Sequence, residues 1–371
     1  MLTSNGHRSY DLIDADTHVN EPPDLWRDRV PAKFKDRAPR HESFDEGDAW
    51  VLDGVADPIN YGLNSCAGMD PEMVQGWIRW EDVRPGGYDP KARVAEMDQD
   101  RVDAQLLFPT PRLSFSMFAQ QDPELHEVLI RAYNDWLAEY CAYAPDRFGG
   151  LALLTNRGVE GAISEFQRTI EQPGIVGAIM GCYPHGDLNL TDEDDALFKT
   201  LAAAQVPLTI HVSLVDQMPT SAKNVKFAGD VRFYDAPKRI LQLLWSGVFD
   251  RVPDLQVLLV EVDAGWVPYF MEQVDDRYMR MGRGNRTQID RMPSEYIKEH
   301  FSFAYVTDHV AIRNRHDIGV ENLLWSSDYP HVGSDWPNSW RTIAADFSGV
   351  PDNERHLILA GNVQRLFRIG E

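Results

Sequence analysis

Eight short aliphatic runs recur along the chain, each parted from the next by an amphipathic or loop-rich stretch, and this alternation constrains the fold more than any other feature. The runs are Asp11–Asp16, Asp103–Pro109, Gly150–Leu154, Ile175–Met180, Val206–Val212, Leu255–Glu261, Phe301–Val306 and Asn322–Asp328. Several are continuously apolar, as parallel strands covered on both faces must be. The stretches between them read as helices. Asp122–Tyr143 opens on an Asp-Pro start and repeats apolar residues every three or four positions; Val159–Gln172, Asp192–Gln205 and Ala236–Phe249 behave in the same way. Eight strand–helix units predict an α/β fold, a distorted (β/α)8 TIM barrel, ahead of an open doubly wound sheet. A chain of 371 residues accommodates one such barrel with insertions, so 1–371 is read as a single domain.

The spacing is uneven in two places. Residues from Glu21 to Arg101, rich in Pro, Gly, Trp and charge, exceed what one crossover helix needs and predict a large insertion after the first strand. Ser213 to Asp235 forms a second long loop, after the fifth strand. Both follow strand C-termini, the face on which barrel enzymes build their sites, so both are expected to act as lids or substrate walls.

Four polar residues close apolar strands. Asp16 and His18 end the first, His211 the fifth and Asp328 the eighth. The i, i+2 spacing of Asp16 and His18 puts both on one strand face, here the barrel interior. Strands one and eight are neighbours in a closed barrel and the fifth faces them, so two imidazoles and two carboxylates converge on one mouth. That donor set predicts one divalent metal ion per chain: Zn, Mn or Fe(II). Glu261 ends the sixth strand after four apolar residues and is expected in a partly desolvated place, as a proton acceptor or as the ion-pair partner of an Arg from a neighbouring loop. His185, after the fourth strand, and His331, three residues beyond Asp328, are candidate catalytic or orienting groups. Glu21, Asp308 and His309 carry no assigned role.

The stretch Asp14-Ala15-Asp16-Thr17-His18-Val19-Asn20-Glu21-Pro22 resembles the opening of amidohydrolase-related proteins, the branch of the amidohydrolase superfamily that includes aminocarboxymuconate-semialdehyde decarboxylase. Met97–Pro109, Asn134-Asp135-Trp136-Leu137 with Ala144–Phe148, and Gly247–Pro253 are similar to further family segments, and Ser327-Asp328-Tyr329-Pro330-His331 resembles the strand-eight motif. The resemblance runs from about residue 11 to about residue 368. It implies a distorted TIM barrel, a mononuclear metal site with Asp16, His18, His211 and Asp328 as ligands, and a homodimer or larger homo-oligomer. In the family's common motif a His stands where this chain has Asp16, which makes the site more anionic and favours Mn or Fe(II). The family's decarboxylases usually carry a His where this chain has Glu261.

These features together predict a metal-dependent hydrolase acting on a C–N, C–O or C–C bond of a small carbonyl compound. Metal-bound water would be the nucleophile, with Asp328 or Glu261 taking its proton. The argument against a substrate carboxylate is electrostatic: two unit charges about 5 Å apart repel by roughly 3 kcal/mol at an effective dielectric near 20. Non-oxidative decarboxylation of an aromatic or unsaturated acid is the alternative, and a non-catalytic ligand-binding barrel a third. Trp26, Trp77, Trp80, Phe233, Tyr234, Trp266 and Trp336 would suit a planar substrate or pack the lids.

Composition narrows the partners. With 36 Lys and Arg against 58 Asp and Glu, the formal charge of −22 disfavours nucleic acid and anionic membrane. No apolar stretch is long enough for a membrane span, the N-terminus lacks a signal-peptide core, and Cys66, Cys141 and Cys182 form no paired motif; a cytoplasmic location is expected. No GxGxxG, P-loop or GxSxG segment provides a nucleotide cradle or a nucleophile elbow.

Overall fold

Eleven strands occur among the described residues: β1 (Ile13–His18), β2 (Arg40–Ser43), β3 (Asp48–Val51), β4 (Ile59–Asn60), β5 (Ala104–Phe108), β6 (Phe148–Leu153), β7 (Ile175–Ile179), β8 (Leu208–His211), β9 (Val257–Val260), β10 (Phe301–Tyr305) and β11 (Leu323–Trp325). The structure is a computed structural model and describes residues 9–217, 231–281 and 289–370. Each of the eight predicted runs contains a strand. β1 and β5 to β11 pair in parallel in the order β1-β5-β6-β7-β8-β9-β10-β11. The two ends of this sheet meet through a bridge between Thr17 and Tyr329. His18 N–H donates to the Tyr329 carbonyl at 2.6 Å and Asp328 N–H to the Asp16 carbonyl at 3.0 Å. The result is a nearly closed TIM barrel ringed by helices, among them Pro123–Cys141, Val159–Ile170, Asp195–Ala204 and Ala236–Ser246. Aliphatic side chains bury both faces of the strands, which is why the runs lack polar alternation.

Six of the eight strands are shorter than the runs that announced them, for local reasons, while β1 and β6 are displaced from theirs by about two residues. Pro207 has no N–H to give to a ladder, and β8 begins after it. β11 stops at Trp325, and Asp328 beyond it takes left-handed backbone, φ 56°.

Within the long stretch between the first two barrel strands, Pro90–Asp100 is an α-helix leading into β5, the barrel's own crossover. It starts on an Asp89 cap whose side chain accepts from Lys91 N–H. The rest holds the short helix Leu25–Arg29, the antiparallel sheet β2-β3-β4 and several single 3-10 turns. This part lies over the meeting point of β1 and β11. Cys66 and Ala67 N–H both donate to the Pro330 carbonyl, Val332 N–H to Leu63, and the Asn20 side chain to Asn64. Of the second long loop, residues 218–230 lie outside the described residues. The three cysteines are buried and free, and no helix among the described residues is long and apolar enough to cross a membrane.

Asn134, on Pro123–Cys141, shows how a helix is fastened to the barrel wall. Its amide donates to the Leu153 carbonyl at 3.0 Å and accepts from Leu153 N–H at 2.8 Å, at a fully buried position. Asn134→Ala strands both backbone groups away from water. It should cost about 2–4 kcal/mol, read as a lower urea midpoint with an unchanged m-value.

Candidate metal centre

Strand periodicity puts Asp14, Asp16 and His18 on one face of β1, towards the barrel axis. His18 Nδ1 lies 2.7 Å from the Pro109 carbonyl, which places the proton on that nitrogen and leaves Nε2 as an inward lone pair. Nε2 is 3.3 Å from Asp16 Oδ1 and 3.4 Å from Asp328 Oδ1. His211, at the end of β8, brings its Nε2 to 3.3 Å from Asp16 Oδ1 and 3.6 Å from Glu261 Oε2. Donor atoms of Asp16, His18, His211 and Glu261 all lie within 4.8 Å of one another, and His18 also belongs to a second such group with Asp328 and His331.

These contacts are not hydrogen bonds. Both Asp16 oxygens, His18 Nε2, His211 Nε2 and Asp328 Oδ1 are buried without a hydrogen-bond partner. Buried acceptors pointed at one another are costly unless a proton or a cation sits among them. The donor set of two imidazoles and carboxylates fits a divalent ion. With only protons available, His18 takes the positive role: burial pulls its pKa down, but Asp16 and Asp328 together push it up to about 10. Burial would raise Asp16, yet His211 and His18 hold it at about 2. Burial likewise opposes ionisation of Asp328, and His331 and His18 overcome it. Glu261 goes the other way: burial first, then the charges of Asp328 and Asp16, push it well above the carboxylate range, with Arg232 only partly offsetting them.

The mouth is built from strained backbone. Val212, Glu261 and Asp328 have φ of 54°, 57° and 56°, the left-handed region that non-glycine residues avoid, and Val212 is β-branched. Each follows a barrel strand, so the chain turns sharply there and sends the side chain back over the mouth.

His331 Nδ1 is 2.7 Å from Asp328 Oδ1, and its ring stacks on His18 with centroids 3.9 Å apart. His185 is not brought to the cluster. Its Nδ1 lies 2.8 Å from Asp194, the buried carboxylate of a capping box. Asp308 caps the helix His309–Arg313 and accepts from Ala264 and Gly265 N–H, pinning the loop after Glu261. His309 is exposed beside Asp346. Glu21 is buried and accepts from Thr110 N–H. Trp26 is fully buried against Trp50, and Trp336 carries the Arg84 guanidinium on its ring, so both pack the insertion.

Two polar residues escaped the sequence reading. Asp14 accepts from Ser327 N–H at 2.8 Å and from the Ser327 hydroxyl at 2.5 Å across the barrel's closing edge. Burial raises it to about 7. Arg232, near the end of the second long loop, lies 3.7 Å from Glu261 Oε1 and 3.9 Å from Asp328 Oδ2. Its Nη1 is buried without a hydrogen-bond partner. Gly333 makes room for it: a Cβ there would sit 2.7 Å from Arg232 Nη2 and 3.2 Å from Asp328 Oδ2. The Arg from the neighbouring loop therefore stands beside Glu261, and Glu261 is only partly exposed. No periodic pattern marks a lone Arg in a long loop.

A family model described as amidohydrolase matches residues 13–369. The chain belongs to the amidohydrolase family. It is 26% identical over 310 residues to the gamma-resorcylate decarboxylase of Polaromonas sp. strain JS666, covering 78% of this chain and 91% of the relative. To the 2-amino-3-carboxymuconate-6-semialdehyde decarboxylase of Dictyostelium discoideum it is 26% identical over 272 residues, 71% of this chain and 73% of the relative. A crystal structure of dihydroxybenzoic acid decarboxylase from Polaromonas sp. JS666, with bound manganese and the inhibitor 2-nitroresorcinol, superposes with a TM-score of 0.67 at 21% identity, covering 98% of each chain. This amidohydrolase is thus an enzyme-family barrel whose clustered donors are consistent with a divalent metal.

An ion entering this cluster must displace the proton held on His18. Because His18 is raised from 6.5 to about 10, its charge stabilises the metal-free fold fully below pH 6.5, and that contribution is lost as pH rises through 10. Affinity for Mn(II) should therefore climb between pH 6 and pH 9, by up to about tenfold per pH unit for each proton displaced. Calorimetry in buffers of differing ionisation enthalpy counts that proton; a flat profile with no proton release contradicts the arrangement.

Proposed function

We propose that this amidohydrolase is a metal-dependent carboxy-lyase that removes carbon dioxide, without oxidation, from an aromatic or unsaturated acid. In this reading Asp16, His18, His211 and Asp328 hold one divalent ion, and the chain acts as one barrel domain with its insertion. The likeness to decarboxylases of dihydroxybenzoate and carboxymuconate type supports the reaction class, and the manganese of the Polaromonas structure supports the ion.

The observation that carries the reading is Arg232. Hydrolysis is favoured when Glu261, with Asp16, is anionic and repels a substrate carboxylate. Arg232 stands beside both Glu261 and Asp328, and burial together with the charges of Asp328 and Asp16 pushes Glu261 towards its neutral form. A cation thus stands beside the mouth as a partner for an anionic substrate. A carboxyl pushed towards its neutral form is also a poorer base for activating water and a suitable acid.

When bound, the ion supplies positive charge that draws in the substrate's oxygens and withdraws electrons from its ring. Arg232 holds the anionic substituent. The Glu261 carboxyl delivers its proton to the ring carbon as the bond to the carboxylate carbon breaks; the bonding pair stays on the ring carbon, carbon dioxide leaves, and solvent returns a proton to Glu261. His331 orients Asp328 through its Nδ1.

A panel of hydroxybenzoic and unsaturated acids, with esters, amides and lactones as controls, tests this. The expected result is carbon dioxide release, with one solvent deuterium on the product carbon in heavy water. Glu261→Gln should lower kcat by about 10²–10⁴-fold while metal content stays unchanged. Arg232→Met should act mainly on KM, by about tenfold or more. Cleavage of the controls with solvent oxygen-18 in the product, and untouched acids, returns the assignment to hydrolysis.

A further inference from the structure

The proposed ion-binding side chains face each other where the two ends of the barrel sheet meet. Among the described residues β1 and β11 share no ladder; β1 meets the segment beyond β11 through one bridge, Thr17 to Tyr329, with two backbone hydrogen bonds and the Asp14–Ser327 contacts beside it. His18 ends one of these edges and Asp328 lies beyond the other, so the relative position of two proposed ligands depends on this short seam.

Arg93 lies behind this seam. It belongs to the crossover helix Pro90–Asp100 and is fully buried. Among the described residues no carboxylate comes within ion-pair distance of it. Its Nε donates to the Gln105 side chain on β5 at 2.6 Å, and its Nη1 to the carbonyls of His18 at 2.9 Å and Gly86 at 3.3 Å. Nη2 has no hydrogen-bond partner, and the guanidinium carbon lies 4.4 Å from the centre of the Tyr329 ring. The Tyr329 hydroxyl bonds to Glu96, one turn further along the same helix. A single planar cation thus grips the carbonyl of a proposed ligand on β1 and the aromatic face of the residue next to a proposed ligand beyond β11.

A buried cation without a counter-charge is expensive, and a hydrocarbon of the same volume would pack the site at less cost. What a hydrocarbon lacks is the fork that reaches two strands at once and the charge that attracts the Tyr329 ring. We propose that Arg93 is a positioning residue: its clamp on His18 and Tyr329 sets the spacing of His18 and Asp328, and with it the affinity of the ion site. The inference rests on the metal site proposed above.

The test uses the full-length chain, stripped by chelation and titrated with Mn(II), with free and bound ion followed by electron paramagnetic resonance. Thermal unfolding of the metal-free protein controls for folding. Arg93→Lys keeps the charge but loses the fork; Tyr329→Leu loses the ring; Tyr329→Phe keeps the ring and loses only the bond to Glu96. Arg93→Lys and Tyr329→Leu should each weaken Mn(II) binding by about 10–100-fold, with an altered bound-ion line shape. Their combination should be no weaker than the weaker single variant, because both break one shared contact. Tyr329→Phe should bind as wild type does. Wild-type affinity in folded Arg93→Lys or Tyr329→Leu overturns the clamp, as do effects that multiply in the double variant. Should Arg93→Lys fail to fold, Tyr329→Leu decides alone. A wild-type chain that binds no Mn(II) overturns the ion site itself and the clamp with it, whereas wild-type binding beside unaffected variants overturns only the clamp.

Discussion

Four carboxylates, the buried Asp14, Asp16 and Asp328 and the partly exposed Glu261, are held in or at the mouth of an apolar barrel where water solvates them poorly, and the architecture around them follows from the need to balance that charge. Each is handled differently. Asp14 is satisfied by Ser327 and raised by burial, so it serves as a hydrogen-bonded tie across the closing edge. Asp16 and Asp328 stay ionised only because imidazoles face them. Glu261 is pushed towards its neutral form by burial first and then by the charges of Asp328 and Asp16. Carboxylates within a few ångströms of one another are thus shifted in opposite directions by their surroundings.

The same need explains the distorted backbone. A regular strand end would carry Glu261 and Asp328 past the mouth. Left-handed residues reverse the chain at once, and the strain is borne by the buried β-barrel beneath and by ties such as Asp308 to Ala264 and Gly265. The insertion contributes in kind. By bonding Cys66 and Ala67 to the Pro330 carbonyl, it fixes the segment between Asp328 and His331, so a stretch with little secondary structure still secures the site.

How much of this was legible in the sequence depends on the range of the interaction. The barrel was readable because continuous apolar runs have one economical solution, and Asp16, His18, His211 and Asp328 stood out because a polar residue ending such a run has few other reasons to be there. His185 looked equivalent by position, yet a carboxylate nine residues away, Asp194, captured it; strand-end placement alone does not say which partner a side chain finds. Asp14 was hidden inside a strand where a buried acid has no sequence signature. Arg232, Arg93 and Gly333 meet the site only through tertiary contacts, from a loop, a crossover helix and a turn with no periodicity to mark them.

Glu261 shows why that gap bears on function. Taken singly, a carboxylate beside a metal site repels an anionic substrate, and hydrolysis of a neutral compound follows. Taken with its burial, with Arg232 at 3.7 Å and with Asp16 and Asp328 close by, the same carboxyl is pushed towards its neutral form and has a cation beside it. The sequence offers an Arg partner for Glu261 without saying which Arg or how close, and electrostatic effects at these distances belong to pairs and clusters rather than to side chains. Gly333 makes the point structurally: any side chain there would push the guanidinium off Asp328, so the chemistry open to Glu261 is decided in part by the absence of a methyl group 72 positions along the chain.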